Sequence, residues 1–324
     1  MTKVAFVFPG QGSQSLGMLA ELYVQYPIVK TIFDSVSEHL NYDVWSLTQE
    51  GPLEVLNQTA HTQVAMLTAD VAVFRVLDLH VSLPKNVLMA GHSLGEYSAL
   101  VCADALSLND AAYLVQQRGQ LMQNTVPVGQ GAMAAIVGLT DEQVKNICEQ
   151  ITSNNQDNLQ VTPANFNAIG QVVIAGHTDA VKQAVALANQ QGARLAVQIP
   201  VSVPCHCPLL ASASAVFMKN LEATHFEIPK RTVVSSVDLQ QYDEIDEMRK
   251  KLAAQLYLPV RWVETIQTLQ ARAVTHFFEC GPAKVLSGLI KRIDKSLHVM
   301  SVNDPSSVED ALQLLHSFKE QEIV

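Results

Sequence analysis

Cysteine, aromatic residues and positive charge are all scarce in this 324-residue sequence. The five cysteines are odd in number and irregularly spaced, so a disulfide framework is not expected and a reducing compartment fits. Lysine and arginine total 21 against 31 aspartates and glutamates, a net charge of −10, which makes the chain a poor candidate for non-specific binding to nucleic acid. No apolar run approaches the ~18 residues of a transmembrane helix, so no membrane span is predicted.

The composition is otherwise that of a globular protein. Apolar residues make up 48% and charged residues 16%, which is ample for a buried core. The length favours a large domain with a smaller one attached or inserted. Residues 1–10 lack a positively charged start and a small-residue cleavage site, so a cytoplasmic location is expected.

One segment invites a metal interpretation. Cys205-His206-Cys207 places three possible ligands together. A structural zinc site typically takes four ligands in two close pairs, and the sequence has no second pair. No metal site is therefore predicted.

The main sheet is predicted from short apolar runs. Residues 3–8 and 86–90 predict buried strands, the first ending in Pro9-Gly10 and the second leading directly into a glycine-rich turn. Residues 232–236 and 275–279 predict two more strands. A long apolar stretch at residues 62–77 predicts a largely buried helix.

The middle of the chain predicts a second unit. Between residues 132 and 201 the pattern indicates strand, helix, two strands, helix and strand, which is the ferredoxin-like order. Thr140 with Gln143 three residues later predicts a capping box at the first of these helices. We therefore predict an α/β protein with a large hydrolase-like domain around a central, mainly parallel sheet (residues 1–127 and 199–324). A small ferredoxin-like α+β domain is inserted at residues 128–198.

The turn after the second strand has the Gly-x-Ser-x-Gly pattern of a nucleophile elbow. Gly91-His92-Ser93-Leu94-Gly95 lies between a predicted strand and a predicted helix, the context that this motif requires. Such a turn lifts the serine hydroxyl out of the backbone and aims the N–H of the following residue at the reacting carbonyl. The alternative is an ordinary glycine-rich turn.

Serine needs a base to become a nucleophile, and two histidines are considered for that role. His92 adjoins Ser93 but is badly placed to take its proton. His206, in a loop bracketed by prolines, is the candidate base, with a purely structural histidine as the alternative. The Gly10-Gln11-Gly12 loop matches neither a dinucleotide nor a phosphate motif, which leaves a backbone N–H donor to an oxyanion as its use.

Taken together, the motifs resemble one family, the malonyl-CoA:acyl carrier protein transacylases of bacterial fatty acid synthesis. The resemblance runs in family order over nearly the whole chain. It is carried by Phe8–Gln14, Gly91–Ser98, Asn165–Asn167, Gln171–Gly176, Val203–His206 and Gln255–Trp262. The family usually has serine before the catalytic histidine, where this chain has Cys205; this departure could alter the pocket or make it sensitive to thiol reagents.

The resemblance implies a catalytic dyad without a side-chain acid. Ser93 would be the nucleophile and His206 the base, oriented by a backbone carbonyl near Gln255. The N–H groups of Gln11 and Leu94 would form the oxyanion hole.

The resemblance also implies a binding site for the acyl group. Arg118 would receive the free carboxylate of a malonyl group, with Gln255, His92 and Asn165 also in the substrate site. A guanidinium fork suits a carboxylate, because it donates two parallel hydrogen bonds. From the residues alone, a solvated arginine on a helix surface is the alternative.

The implied reaction is ping-pong transfer of malonyl from malonyl-CoA, through an ester on Ser93, to the phosphopantetheine thiol of an acyl carrier protein. Coenzyme A thioester is then a substrate, and no metal or redox cofactor is needed. The basic residues Lys284, Lys291, Arg292 and Lys295 could dock an acidic carrier protein, or could be a solvated helix end. The family implies a monomer.

Three other functions remain open at this point. A free-standing acyltransferase of a polyketide pathway would share the fold and the dyad. A serine ester or thioester hydrolase would share the elbow, although it usually has an acid between serine and histidine in sequence. A scaffold that holds a carrier protein would need no chemistry.

Overall fold

The computed structural model describes residues 3–154, 158–200 and 203–321. The strands in this part of the chain are β1 (Lys3–Phe8), β2 (Leu88–Gly91), β3 (Gly131–Val137), β4 (Val161–Ala168), β5 (Gln171–His177), β6 (Leu195–Gln198), β7 (Thr232–Val234), β8 (Val274–Cys280) and β9 (His298–Val302). The helices are α1 (Ala20–Gln25), α2 (Pro27–Leu40), α3 (Val44–Glu50), α4 (Leu53–Leu56), α5 (Thr59–Val81), α6 (Gly95–Cys102), α7 (Leu108–Thr125), α8 (Asp141–Ser153), α9 (Thr178–Gln190), α10 (Ala211–Ala223), α11 (Ile245–Ala254), α12 (Trp262–Ala271), α13 (Val285–Ile293) and α14 (Pro305–Gln321).

The main sheet is parallel throughout. Its strand order is β7-β2-β1-β8-β9, and each neighbouring pair runs in the same direction. Because parallel strands need crossover connections, helices cover both faces, and strands buried on both faces read as continuous apolar runs. The predicted α/β class is confirmed.

The apolar run of β1 serves two cores. Phe6 and Phe8 point to one face, where their rings lie 5.2 and 5.9 Å from that of Phe74 on α5. Ala5 and Val7 point to the opposite face and join the core packed under α12 and α13. Alternation of side chains across the sheet therefore accounts for the unbroken hydrophobic stretch.

Helix α5 runs through the larger core. Nearly every residue between Thr59 and Leu77 is buried, as the apolar stretch predicts. Besides three threonines, its buried residues include two with larger polar side chains, Gln63 and Asp70. Buried polar groups are costly without a hydrogen-bond partner, so these two positions require a specific reason.

The second sheet is antiparallel and lies within residues 131–198. Its order is β4-β5-β3-β6, and α8 and α9 pack on one face of it. This is the ferredoxin-like arrangement predicted from the sequence. The capping box is present, with Thr140 and Gln143 bonding reciprocally at the start of α8. The boundaries at residues 127/128 and 198/199 remain a prediction.

One strand of the main sheet was missed by the sequence analysis. β9 pairs in parallel with β8 and closes the edge of the sheet. Its residues are mostly half-exposed, and it begins with His298, so it lacks the unbroken apolar run that marks the other strands. Within the described residues, no helix combines the length and the hydrophobicity needed to cross a membrane.

Candidate active site

The elbow forms as the sequence predicts. β2 ends at Gly91, α6 begins at Gly95, and Ser93 between them has a φ of 53°, in the left-handed region. A Cβ on Gly91 would lie 1.9 Å from the carbonyl carbon of Gly95. A Cβ on Gly95 would lie 2.0 Å from the carbonyl oxygen of Phe8. Only glycine fits at both positions, so the motif is required by packing as well as by the turn.

Ser93 and His206 meet at the carboxyl end of the main sheet. The distance from Ser93 Oγ to His206 Nε2 is 2.8 Å, although the residues are 113 apart in sequence. On the other side of the ring, His206 Nδ1 lies 2.7 Å from the backbone oxygen of Gln255. That carbonyl can only accept, so Nδ1 carries the proton and Nε2 is free to accept the serine proton. A backbone carbonyl thus occupies the place of a triad acid.

The environment of His206 keeps it neutral. Burial and the positive charge of Arg118 lower the pKa of His206 to about 3, against the opposing hydrogen bond to the Gln255 carbonyl. At neutral pH the imidazole is therefore unprotonated and able to act as a base. His92 points away from Ser93, because its Nε2 bonds Asn167 Oδ1 at 2.8 Å.

Two backbone N–H groups are placed to bind an oxyanion. Leu94 is the N-cap residue of α6, where N–H groups lack helical partners and the helix dipole favours negative charge. The loop carrying Gln11 lies against the elbow, since a Cβ on Gly10 would be 3.8 Å from the Leu94 nitrogen. Neither Gln11 nor Leu94 donates its N–H to a protein acceptor within residues 3–154, 158–200 and 203–321.

Arg118 is buried beside the serine. It is only 1% exposed, so the alternative of a solvated surface arginine is wrong. Its guanidinium donates to Gln63 Oε1 at 2.9 Å, Gln255 Oε1 at 3.0 Å and Ser93 Oγ at 3.1 Å. No carboxylate in the described part of the chain forms an ion pair with it. A buried cation whose hydrogen bonds go to neutral oxygens is suited to an anionic ligand.

These groups open on one cavity of about 220 Å³. Asn165 and His92 lie in its wall, as does Cys205, whereas Val285, Leu286 and Leu289 bring the first turns of α13 to it. Burial raises the pKa of the Cys205 thiol to about 11, so this sulfur is protonated and a poor nucleophile at neutral pH.

The sequence analysis missed residues that support the cavity from behind. Glu96 is fully buried and bonds Gln255 Nε2 at 2.7 Å, and Gln63 holds Arg118. The available signal was a charged or amide side chain inside a largely apolar helical stretch. That signal shows that a partner exists without identifying it.

The predicted docking residues lie apart from the cavity wall. Lys284, Lys291, Arg292 and Lys295 are all exposed. Lys284 directly precedes the turn of α13 that lines the cavity, whereas Arg292 bonds Gln171 Oε1. All five cysteines are free and buried, and no cluster of three or more His, Cys, Asp or Glu among the described residues could hold a metal ion.

Comparisons with known proteins agree with this geometry. The acyl transferase domain family matches residues 5–310. The chain is 47% identical to the malonyl CoA-acyl carrier protein transacylase of Escherichia coli K12 over 314 residues, 97% of this chain and all of that protein. It is 43% identical to the Bacillus subtilis protein of the same name over 315 residues, 97% of this chain and 98% of that one.

Solved structures give the same result. The Coxiella burnetii malonyl CoA-acyl carrier protein transacylase superposes with a TM-score of 0.94 at 47% identity, over 97% of this chain and 98% of that one. A malonyl-transacylase in complex with a type II polyketide acyl carrier protein superposes with a TM-score of 0.93 at 45% identity, over 96% and 99% of the two chains. The chain therefore belongs to the acyl transferase family and, within it, to the malonyl CoA-acyl carrier protein transacylases.

Proposed function

We propose that this chain transfers a malonyl group from malonyl-CoA to the phosphopantetheine thiol of an acyl carrier protein, through an ester on Ser93. One observation carries the proposal: Arg118, a buried cation with no carboxylate partner among the described residues, lies 3.1 Å from the hydroxyl of a serine paired with a neutral histidine. Nucleophile and carboxylate receptor thus share one cavity.

The first half-reaction begins with proton transfer. His206 Nε2 takes the proton of Ser93 Oγ as that oxygen attacks the thioester carbonyl. The resulting oxyanion accepts hydrogen bonds from the N–H groups of Gln11 and Leu94. The carbon–sulfur bond then breaks, and the proton passes from His206 to the sulfur of coenzyme A. The product is a malonyl ester of Ser93 and free coenzyme A.

The second half-reaction reverses these steps with a different thiol. The phosphopantetheine thiol gives its proton to His206 and attacks the Ser93 ester. The oxyanion forms again, the carbon–oxygen bond breaks, and the serine oxygen recovers the proton. Ping-pong kinetics follow, because one site serves both thiols in turn. Acyl exchange between thiols changes no oxidation state, so we propose that no metal or redox cofactor takes part.

Arg118 gives the reaction its acyl preference. Its guanidinium can donate two parallel hydrogen bonds to the free malonyl carboxylate. An acetyl group offers no such partner and leaves the buried cation unpaired. Asn165 and His92, in the same wall, would complete the contact surface of the substrate.

The carrier protein would approach at the start of α13. Lys284 is exposed immediately before the cavity-lining turn of that helix, and Lys291 and Arg292 lie two turns further on, about 10 Å along the axis. Positive charge here favours an acidic carrier protein. The test reverses these charges in two variants, Lys284→Glu and the double variant Lys291→Glu with Arg292→Glu. Each should raise KM for the carrier protein and leave the half-reaction with malonyl-CoA unchanged. Lys219→Glu, which changes an exposed charge on α10, is the control, and equal effects on the malonyl-CoA and carrier-protein half-reactions would contradict docking here.

A second candidate differs only in the carrier protein. The similarity to the polyketide malonyl-transacylase complex favours testing a polyketide carrier beside one from fatty acid synthesis. The carrier with the higher kcat/KM identifies the pathway. We also propose a cytoplasmic monomer, which a molecular mass measured by light scattering tests directly.

The decisive experiment is intact-protein mass spectrometry after brief exposure to malonyl-CoA. Wild type should gain one malonyl group, and Ser93→Ala should gain none. Steady release of free malonate without transfer would instead identify a thioester hydrolase. Absence of both adduct and turnover would identify a scaffold.

A further inference from the structure

Glu96 lies directly behind the elbow and has no part in the chemistry proposed above. It stands in the first turn of α6, three residues after Ser93, and is fully buried outside the cavity wall. Its carboxylate accepts from Ser236 Oγ at 2.6 Å, from the Ser236 N–H at 3.3 Å, from the Tyr242 hydroxyl and from Gln255 Nε2 at 2.7 Å. Four donors converging on one side chain suit an anion.

The side chain of Gln255 connects this carboxylate to the site. Arg118 can only donate, so the Gln255 atom 3.0 Å from its guanidinium is the oxygen Oε1. The amide nitrogen then faces a carboxylate oxygen of Glu96 at 2.7 Å and the backbone oxygen of Ser93 at 3.1 Å, and a backbone oxygen can only accept. The orientation of the amide is therefore determined from both ends.

We propose that Glu96 is a positioning residue: by holding the amide of Gln255, it fixes the guanidinium of Arg118 in the geometry that selects acyl groups with a free carboxylate. The inference rests on the proposed function, since it assigns the origin of the malonyl preference. Glu96 acts entirely through Gln255 and touches no substrate.

The hydrogen-bond donors around Glu96 support a carboxylate at this position. Arg118 has no ion pair in the part of the chain that is described, and Gln255 links it to an acidic group. Burial raises the pKa of Glu96, and the hydrogen bonds from Ser236, Tyr242 and Gln255 oppose that rise. A glutamine in its place has one acceptor oxygen and an NH₂ group, so it cannot accept from every one of these donors.

Glu96→Gln preserves the size of the side chain and removes its charge. The amide of Gln255 loses its charged acceptor, and Arg118 loses a fixed partner. Malonyl-CoA depends on the orientation of Arg118, whereas acetyl-CoA has no carboxylate to place. We expect the ratio of malonyl to acetyl kcat/KM to fall about tenfold, the effect of weakening one charge-assisted hydrogen bond. A merely structural role would lower both rates alike.

The test compares wild type, Glu96→Gln, Arg118→Ala and the double variant with both acyl-CoAs. Asp70→Asn is the matched control, because Asp70 is another fully buried acid, bonded to Ser98 on the same helix as Glu96. Thermal unfolding of each variant separates folding defects from selectivity. We expect Glu96→Gln to lower the malonyl to acetyl ratio in wild type and to leave it unchanged in the Arg118→Ala background, with Asp70→Asn at the wild-type ratio.

An unchanged ratio in Glu96→Gln, or an equal drop in both backgrounds, would overturn the positioning role. Failure of the proposed function is a separate result: wild type itself would then form no malonyl ester. The two failures are distinguished by the wild-type sample alone.

Discussion

Replacing Arg118 with alanine should abolish the preference for malonyl-CoA without destroying the dyad. The guanidinium makes three hydrogen bonds, all to side-chain oxygens without charge, and pairs with no carboxylate in the described residues. A bidentate pair with the malonyl carboxylate would be the strongest contact available to it. Its loss removes a contact made by malonyl and not by acetyl.

The magnitude follows from that contact. Hydrogen bonds to charged groups contribute about 1.5–3 kcal/mol each, so loss of the two bonds of a bidentate pair should lower malonyl kcat/KM about 100- to 10,000-fold. The acetyl reaction loses only the single bond from Arg118 to Ser93 Oγ and should fall about 10- to 100-fold, less than the malonyl reaction. Arg118→Lys retains the charge without the fork and should lie between wild type and alanine.

The assay is kcat/KM for malonyl-CoA and acetyl-CoA with a saturating carrier protein, together with the mass of the acyl-enzyme. The Ser93 ester should still form from acetyl-CoA in Arg118→Ala, which shows that the dyad is intact. A wild-type malonyl to acetyl ratio in this variant would refute the assignment of Arg118 as carboxylate receptor.

Three further predictions concern the base, the elbow and the cysteine. The pH dependence of kcat/KM is measured with acetyl-CoA between about pH 4 and pH 8. In wild type the loss of activity at low pH should lie well below pH 6, and in Arg118→Ala it should move to higher pH, because one cause of the lowered His206 pKa is gone. An acid limb at the same pH in both proteins would contradict this. Gly95→Ala should lower the free energy of unfolding in urea by at least ~1–3 kcal/mol because its Cβ meets a β1 carbonyl at 2.0 Å, while Gly288→Ala, with open space around it, should not destabilise. Cys205→Ser should retain kcat within about threefold, and wild type should resist alkylation at neutral pH, since burial raises the thiol pKa to about 11; rapid inactivation by iodoacetamide would show otherwise.

Much of the fold was predictable because its signals are local. The β1 run, the elbow and the capping box at Thr140 each depend on a few consecutive residues, and each formed where predicted. β9 was not predictable in this way, because a half-exposed edge strand has no continuous apolar run. Its position depends on pairing with β8, a contact between residues about 20 apart.

The candidate site shows the same distinction between local signals and long-range contacts. By itself, the sequence identified Ser93 from the elbow, proposed His206 from its stiff loop and, through the resemblance, assigned Arg118 and the Gln255 carbonyl. It left the arginine open to a surface interpretation and gave Gln63 and Glu96 no role.

Only the tertiary structure decided those points. It buried Arg118 with no ionic partner in the part of the chain that is described. It also brought Gln63 from α5 and Gln255 from the end of α11 to the two terminal nitrogens of Arg118, and placed Glu96 behind them. Hydrophobic periodicity records which face of a helix is buried. The partner of a buried polar group is set by the packing of segments that are distant in sequence, and no local pattern contains that information.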